Sequence, residues 1–394
     1  MTATSRGARR LAAVVAAAVL VLALAQPGPA DARLRPPPGP ALEGPPPATE
    51  VPVEVEASAW VLVEGASGQV LAGHAGDERR PVASTIKVLA ALTVLDRAAL
   101  DDEVEVGDEV VGVGGASVGL TPGDVWTVEE LLDALLARSG NDAAEALAAH
   151  VAGSTPAFVR LMAEDARRLG LEGVTLTSPS GLDDGNLLSA RDLATIARAA
   201  LAHDALRPLL ARAVVELPGL GAVESRNELL FTHPEATGVK TGYTDAAGSS
   251  LVASAERGGR ELVVVLLDAG EDPARFEAAA GLLDHGFERF AVRTVRGRMT
   301  LAVGGGGVHL EAGPAPITTP AGAPPRLVFE VPVRPPSSPT QIPVVVGDVT
   351  VGHLTADPVG ARRPRVATTV DIGRAAADGV YAALRAATTA GVLR

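Results

Sequence analysis

Three runs late in the chain, GVKTGYT (238–244), SSLVASA (249–255) and LVVVLLDA (262–269), are short, rich in β-branched residues and bounded by Gly, Asp and Arg. Such runs read as strands, and Glu256-Arg257-Gly258-Gly259-Arg260 between the last two is a hairpin turn. A helix is expected from about Pro273 to Phe290. Toward the N-terminus the period changes. Thr127 and Glu130 make a capping box ahead of Leu131, Leu132, Leu135 and Leu136; that helix stops at Ser139-Gly140-Asn141, and Asp142 with Glu145 caps the next. Thr155 as N-cap with Pro156 at the first helical position opens another helix that Gly170 closes, and Ser189 with Asp192 caps a further one. Residues 84–97 carry Val88, Leu89, Leu92 and Leu95 at helical spacing, and residues 60–73 before them form a hairpin. The expected fold class is mixed α/β, with one sheet assembled from both ends of a domain and helices inserted between.

The 394 residues hold 34 basic and 47 acidic side chains, a formal net charge of −13. That balance repels phosphate backbones, and six Phe, two Tyr and two Trp offer few stacking platforms, so no nucleic-acid partner is expected. The absence of Cys excludes disulfides, thiolate chemistry and Cys-ligated zinc. The seven His, at 74, 150, 203, 233, 285, 309 and 353, show no H-x-x-x-H pairing, so neither a metal nor a cofactor is expected.

Arg6, Arg9 and Arg10, the apolar run Leu11 to Ala25 and the small-x-small stretch Ala30-Asp31-Ala32 read as a signal peptide over residues 1–32. The protein is therefore expected to be exported to the periplasm or cell wall. A Pro-rich linker follows over 33–51, then a main domain over 52–290, a small β-rich domain over 291–356 and a tail over 357–394. The tail is helix-compatible from Asp371 to Arg394, but Arg374, Asp378 and Arg385 rule out a spanning segment.

Of the 34 basic residues 32 are Arg; only Lys87 and Lys240 are Lys. Arg stays protonated, whereas a Lys amine can shed its proton and act as a base. In Ser84-Thr85-Ile86-Lys87 the spacing of three puts hydroxyl and amine on one helical face, and the helix N-terminus favours the neutral amine. Bringing a Lys pKa to about 7 takes roughly 4–5 kcal/mol, which burial and a second cation can supply. Taken alone, the motif equally fits a Ser N-cap followed by a surface Lys. The second lysine lies on a strand in Val239-Lys240-Thr241-Gly242-Tyr243, where Gly242 permits a ligand backbone to come close and Lys240 suits a substrate carboxylate. Ser139-Gly140-Asn141 falls between the two, 52 positions after Lys87 and 99 before Lys240.

The order S-x-x-K, S-x-N, K-T-G is the signature of penicillin-recognising serine enzymes. Over residues 53–290 the chain closely resembles the D-alanyl-D-alanine carboxypeptidases, the low-molecular-mass penicillin-binding proteins. The resemblance extends to Arg80-Pro81-Val82-Ala83, Leu131 through Ala149, Ser180-Gly181-Leu182-Asp183, Ser189-Ala190-Arg191-Asp192-Leu193, Arg226-Asn227-Glu228-Leu229-Leu230 and Leu282-Leu283-Asp284-His285-Gly286-Phe287. It implies a β-lactamase/transpeptidase-like domain, an antiparallel sheet with a helical insert, followed by a small β-rich domain. The active site would lie between sheet and insert. It further implies Ser84 as nucleophile, Lys87 as general base, and Ser139 and Asn141 as proton relay and amide holder. Lys240, Thr241, Gly242 and Tyr243 would bind the carboxylate end, with the Ser84 and Tyr243 N–H groups as oxyanion hole and Arg226 and Arg275 facing substrate. Ile86 stands where many relatives have Thr, and Pro234 to Gly238 departs from the family pattern.

The implied activity is removal of the terminal D-alanine from peptidoglycan stem pentapeptides through an acyl-enzyme. The implied partners are those stem peptides and β-lactam antibiotics, with the protein a monomer. Relatives often anchor through an amphipathic C-terminal helix; the Ala-rich face here is weak, so a solvated or frayed tail is expected, with weak membrane-surface association as the alternative. The competing functions are a DD-endopeptidase or β-lactamase using the same residues, and a catalytically inactive wall-binding protein. A β-lactamase usually carries a Glu-x-x-x-Asn arrangement between the second and third motifs, and none is convincing between Asn141 and Lys240. Gly115-Ala116-Ser117-Val118-Gly119 matches G-x-S-x-G literally, but Leu120-Thr121-Pro122-Gly123-Asp124 follows where a nucleophile elbow requires a helix.

Overall fold

Five strands, β1 (Ala57–Glu64), β2 (Val70–His74), β3 (Ala236–Thr244), β4 (Gly248–Arg257) and β5 (Arg260–Ala269), form the central sheet of the computed structural model. The structure describes residues 51, 54–303, 306–321, 327–329, 340–346 and 349–359, with side chains up to residue 292 and again at 318 and 321. The segment read as a signal peptide, the Pro-rich stretch up to residue 50 and the tail beyond residue 359 lie outside the described residues. The sheet order is β2-β1-β5-β4-β3 and every pair is antiparallel. Ala57 of β1 lies opposite Ala269 of β5, so the first and last strands of the domain are joined at its centre. β3, which carries Lys240, takes an edge.

Both faces of this sheet are covered. Ala59, Val61, Val63, Val252, Val263, Val265 and Leu267 point into one core, packed with the helices of the insert. Trp60, Leu62, Leu251, Ala253, Leu262, Val264 and Leu266 point into a second core with Phe276, Ala279, Leu282 and Leu283 of the last helix. Burial on two sides explains why residues 262–267 are apolar without alternation. Each fully buried Leu or Val contributes about 1.5–3 kcal/mol.

The longer helices are α1 (Lys87–Leu95), α2 (Val128–Ala137), α3 (Asn141–Ala152), α4 (Thr155–Arg168), α5 (Ala190–Leu201) and α6 (Ala274–Arg289). The boxes at Thr127/Glu130 and Ser189/Asp192 form as the sequence implies, with reciprocal bonds in each. Three expectations need correction. The segment from Ser84 begins as a 3-10 turn over Ala83–Ile86 and becomes α-helical only at Lys87. Thr155 lies inside α4, whose N-cap is Ser154. Asp142 and Glu145 do not cap α3. Asp142 binds the amides of a neighbouring loop, and Glu145 accepts a hydrogen bond from Thr155.

Beyond α6, β6 (Phe290–Val303), β7 (Gly306–Pro320), β8 (Leu327–Phe329), β9 (Thr340–Val346) and β10 (Val349–Val359) make a second antiparallel sheet in the order β6-β7-β10-β9-β8. Gln69 exchanges two hydrogen bonds with the Thr318 backbone, Nε2 to O at 2.8 Å and N to Oε1 at 3.0 Å. Gly347 and Asp348, between β9 and β10, lie outside the described residues. Among the described residues, no helix is long and apolar enough to cross a membrane.

Candidate active site

The 3-10 turn presents Ser84 at the start of α1, and the turn of three places Lys87 directly behind it. Lys87 is fully buried, and its Nζ lies 2.7 Å from Ser84 Oγ, 2.7 Å from Asn141 Oδ1 and 2.7 Å from the Ser180 carbonyl oxygen. A neutral amine has two N–H bonds and one lone pair. Neither Asn141 Oδ1 nor the Ser180 carbonyl has a proton to give, so when the amine is neutral those two oxygens take its N–H bonds and its lone pair is left for the Ser84 hydroxyl. The Asn141 amide is oriented by its other end, Nδ2 donating to the Gly114 carbonyl at 2.8 Å. Burial holds the Lys87 pKa well below its ordinary value, helped by Lys240 and Arg226 and opposed by Asp142 and Glu145.

Lys240 is also buried but differently surrounded. Its Nζ donates to the Thr241 carbonyl at 3.0 Å. Burial, Arg226 and Arg275 push its pKa down to about 7. The Arg226 guanidinium reaches the cleft with its own pKa lowered by burial and by Arg138, while its backbone N–H, bonded to Ala137 O at 3.0 Å, ties the segment to the end of α2. Arg275 of α6 is bound to Asp272, and its Nη1 donates to the carbonyls of Gly242 at 3.2 Å and Ser250 at 3.4 Å. It therefore braces β3 from beneath as well as lining the cleft.

A cleft of about 830 Å³ joins these groups, lined by Ser84, Ser139, Asn141, Arg226, Thr241, Gly242, Tyr243 and Arg275 among others. Lys87 and Lys240 sit behind that wall. Ser139, expected at a tight turn, has a φ of 63°, and its side chain is buried at the cleft. Tyr243 is 63% exposed on the rim, its hydroxyl donating to Asp245 at 3.2 Å. Gly242 differs from its expected purpose. A Cβ there would lie 3.1 Å from Ala83 Cβ and 3.2 Å from Ser84 N, so its bareness lets β3 meet the nucleophile turn rather than a ligand backbone alone. Asp272 is the lining carboxylate engaged by Arg275; Glu224 and Glu228 are exposed.

Two participants escaped the sequence reading. Ser180 acts through its carbonyl, which no side-chain pattern reveals. The neighbouring Gly181 was a usable signal: its φ is 77° and a Cβ would fall 2.0 Å from the Ala83 oxygen. Asp142 was read as a cap, though its carboxylate faces the loop that walls the cleft. Among the described residues His233, Glu235 and Asp284 bring ligand atoms within 4.8 Å of one another, a grouping that His spacing alone did not show. None of the three lines the cleft, and Arg257 donates to Glu235 at 2.8 Å and to Asp284 at 2.7 Å, which satisfies both carboxylates without an ion. The literal G-x-S-x-G at 115–119 is a loop, Ser117 donating to Asp142 at 2.6 Å.

Comparison with known proteins bears on the family and the fold. Residues 46–271 match the family model for D-alanyl-D-alanine carboxypeptidase. A D-alanyl-D-alanine carboxypeptidase of Mycobacterium tuberculosis is 39% identical over 253 residues, covering 61% of this chain and 86% of that protein. One from Escherichia coli is 38% identical over 254 residues, 61% of this chain and 63% of the relative. Among solved structures, a Mycobacterium tuberculosis D-alanyl-D-alanine carboxypeptidase aligns with a TM-score of 0.58 at 37% identity, over 62% of this chain and 96% of its own. Penicillin-binding protein 6B of Escherichia coli aligns with a TM-score of 0.64 at 28% identity, over 79% and 98%. The chain belongs to the D-alanyl-D-alanine carboxypeptidase family and is a serine peptidase of the penicillin-binding fold.

Proposed function

We propose that this chain hydrolyses the terminal D-Ala-D-Ala bond of peptidoglycan stem pentapeptides through an acyl-enzyme on Ser84. The observation that carries the reading is the Lys87 amine, fully buried and 2.7 Å from each of Ser84 Oγ, Asn141 Oδ1 and the Ser180 carbonyl oxygen. Neutral Lys87 takes the Ser84 proton as Oγ attacks the penultimate D-Ala carbonyl carbon. The oxyanion forms against the N–H groups of Ser84 and Tyr243. Collapse breaks the peptide bond, and the leaving D-alanine amine receives the proton that Lys87 took, with the Ser139 hydroxyl as relay. Water then attacks the ester, gives its proton to Lys87, and releases the shortened peptide with Ser84 restored. Lys240, Thr241 and Arg226 hold the terminal carboxylate, since Lys240 has two guanidinium groups acting on it and, among the described residues, no acidic group offsetting them. A β-lactam follows the same first step, but the opened ring stays attached and leaves no departing group.

The chain is exported by its first 32 residues and works outside the cytoplasm as a monomer, its division into domains falling at residue 290. Incubation with penicillin tests the reading by intact mass, beside a Ser84→Ala variant. The expected result is a persistent one-to-one adduct absent from the variant. Consumption of penicillin with only a fleeting adduct would make it a β-lactamase, and no adduct would leave a wall-binding protein. Release of D-alanine from a pentapeptide, against cleavage of cross-linked dimers, separates carboxypeptidase from endopeptidase.

A further inference from the structure

We infer that Asp142 is a positioning residue for the Lys87 base, acting through the loop over residues 114–120 and the side-chain amide of Asn141. The inference rests on Ser84 and Lys87 being the reacting pair. The Asp142 carboxylate is buried at the first turn of α3 and gathers the loop onto itself. Its Oδ2 accepts the N–H groups of Val118 at 3.0 Å, Gly119 at 2.9 Å and Leu120 at 3.1 Å, and the Ser117 hydroxyl at 2.6 Å. Its Oδ1 accepts from Ala143 N at 3.0 Å. Four consecutive residues of a loop with positive φ at Gly115 and Gly119 are thereby fixed by one anion.

The same loop decides which way the Asn141 amide faces. Ala116 O accepts the Asn141 backbone N–H at 2.7 Å, and Gly114 O accepts Asn141 Nδ2 at 2.8 Å. The Gly115 main chain lies so close that a Cβ there would sit 2.8 Å from Nδ2. With Nδ2 held by Gly114, Oδ1 must face Lys87. If the loop is released, rotation of the amide turns an N–H toward the Lys87 lone pair, which then competes with the Ser84 hydroxyl, and one Lys87 N–H loses its acceptor. Asp142 touches neither Ser84 nor the cleft. Its effect passes through the loop to Asn141 and from there to the amine.

The charge of Asp142 provides a second readout. Among the described residues the charged groups acting on Lys87 are Lys240 of β3, Arg226 of the segment after α5, and Asp142 and Glu145 of α3. Asp142 opposes the lowering of the Lys87 pKa, so its neutralisation moves the acid limb of the acylation profile to lower pH.

The test is stopped-flow acylation by a chromogenic cephalosporin, separating the noncovalent dissociation constant from the acylation rate constant across pH 5 to 9, on wild type, Asp142→Asn and Ser117→Ala. Asp142→Asn is expected to lower the rate constant about 10- to 100-fold, part of what a placed general base supplies, with the dissociation constant within about twofold and the acid limb shifted down. Ser117→Ala keeps the charge and removes one loop bond, so it is expected to show a smaller loss of about two- to fivefold with the limb unmoved. An Asp142→Asn protein that acylates at the wild-type rate with an unmoved limb overturns the proposal. Should that variant fail to fold, an unchanged rate constant in Ser117→Ala overturns it instead. If wild type forms no adduct at all, the failure belongs to the proposed function.

Discussion

The two lysines, both buried, mark two halves of the cleft built on opposite principles. Around Lys87 every hydrogen-bonding capacity is used: two carbonyl oxygens and a hydroxyl surround the amine, with Asp142 and Glu145 nearby to offset two cations. Around Lys240, among the described residues, one backbone carbonyl accepts, and the charges acting on it are Arg226 and Arg275. A complete environment fixes one group in one place and suits a base. An environment short of one anion suits a receptor for one. Burial gives both lysines lowered pKa values, so pKa alone does not tell the roles apart; the partner set does.

The comparison breaks most severely if Lys87→Arg still acylates. Arg cannot release its proton, so the acylation rate with penicillin should fall by about 10²–10⁴-fold, read by mass or stopped flow. Next come the two bare positions on either side of Ser84. Gly181→Ala drives a Cβ to within 2.0 Å of Ala83 O at a φ of 77°, whereas Gly242→Ala makes contacts of 3.1–3.2 Å. The first should cost about 2–4 kcal/mol in thermal or urea unfolding and the second at most about 1 kcal/mol. Equal losses would show that the Lys87 side is no more tightly built than the Lys240 side.

Lys240→Ala sharpens the contrast. It should lower kcat/KM about 10- to 100-fold on a peptide with a free terminal carboxylate and much less on the C-terminal amide. The smallest effect is in pH. Lys240 holds a carboxylate only when protonated, and its free-enzyme pKa is about 7, so KM should climb as pH rises above that value. Lys87 must be neutral, so the acylation rate should fall as pH drops through its lowered pKa. A KM that stays flat between pH 6 and 9 removes Lys240 from carboxylate recognition.

Local chemistry was readable in the sequence where a few residues decide the outcome. The capping boxes at Thr127 and Ser189 depend on side chains three positions apart, and both formed. The strands around 238–269 and the last helix also lie where apolar runs and turn residues put them, give or take two positions. Sequence order brought the three motifs together as candidates because only two lysines survive among 34 basic residues. What stayed hidden depends on the backbone and on distant partners. Ser180 contributes a carbonyl, common to every residue type. Asp142 carries the right residue for an N-terminal cap, and only the packing of the 117–120 loop against α3 shows that its oxygens are taken elsewhere. His233, Glu235 and Asp284 meet because β3 and α6 are neighbours through β4, which spacing along the chain does not disclose.

The pairing of Ala57 with Ala269 also sets the order in which the molecule can become itself. The centre of the sheet closes only when chain ends some two hundred residues apart have met, a loop closure that local helix formation cannot hasten. α1 can form early, but Ser84 gains its opposing wall only when β3 has docked beside β4 and β5. Reactivity therefore arrives last in folding, and a chain interrupted before β5 holds a serine and a lysine without an enzyme.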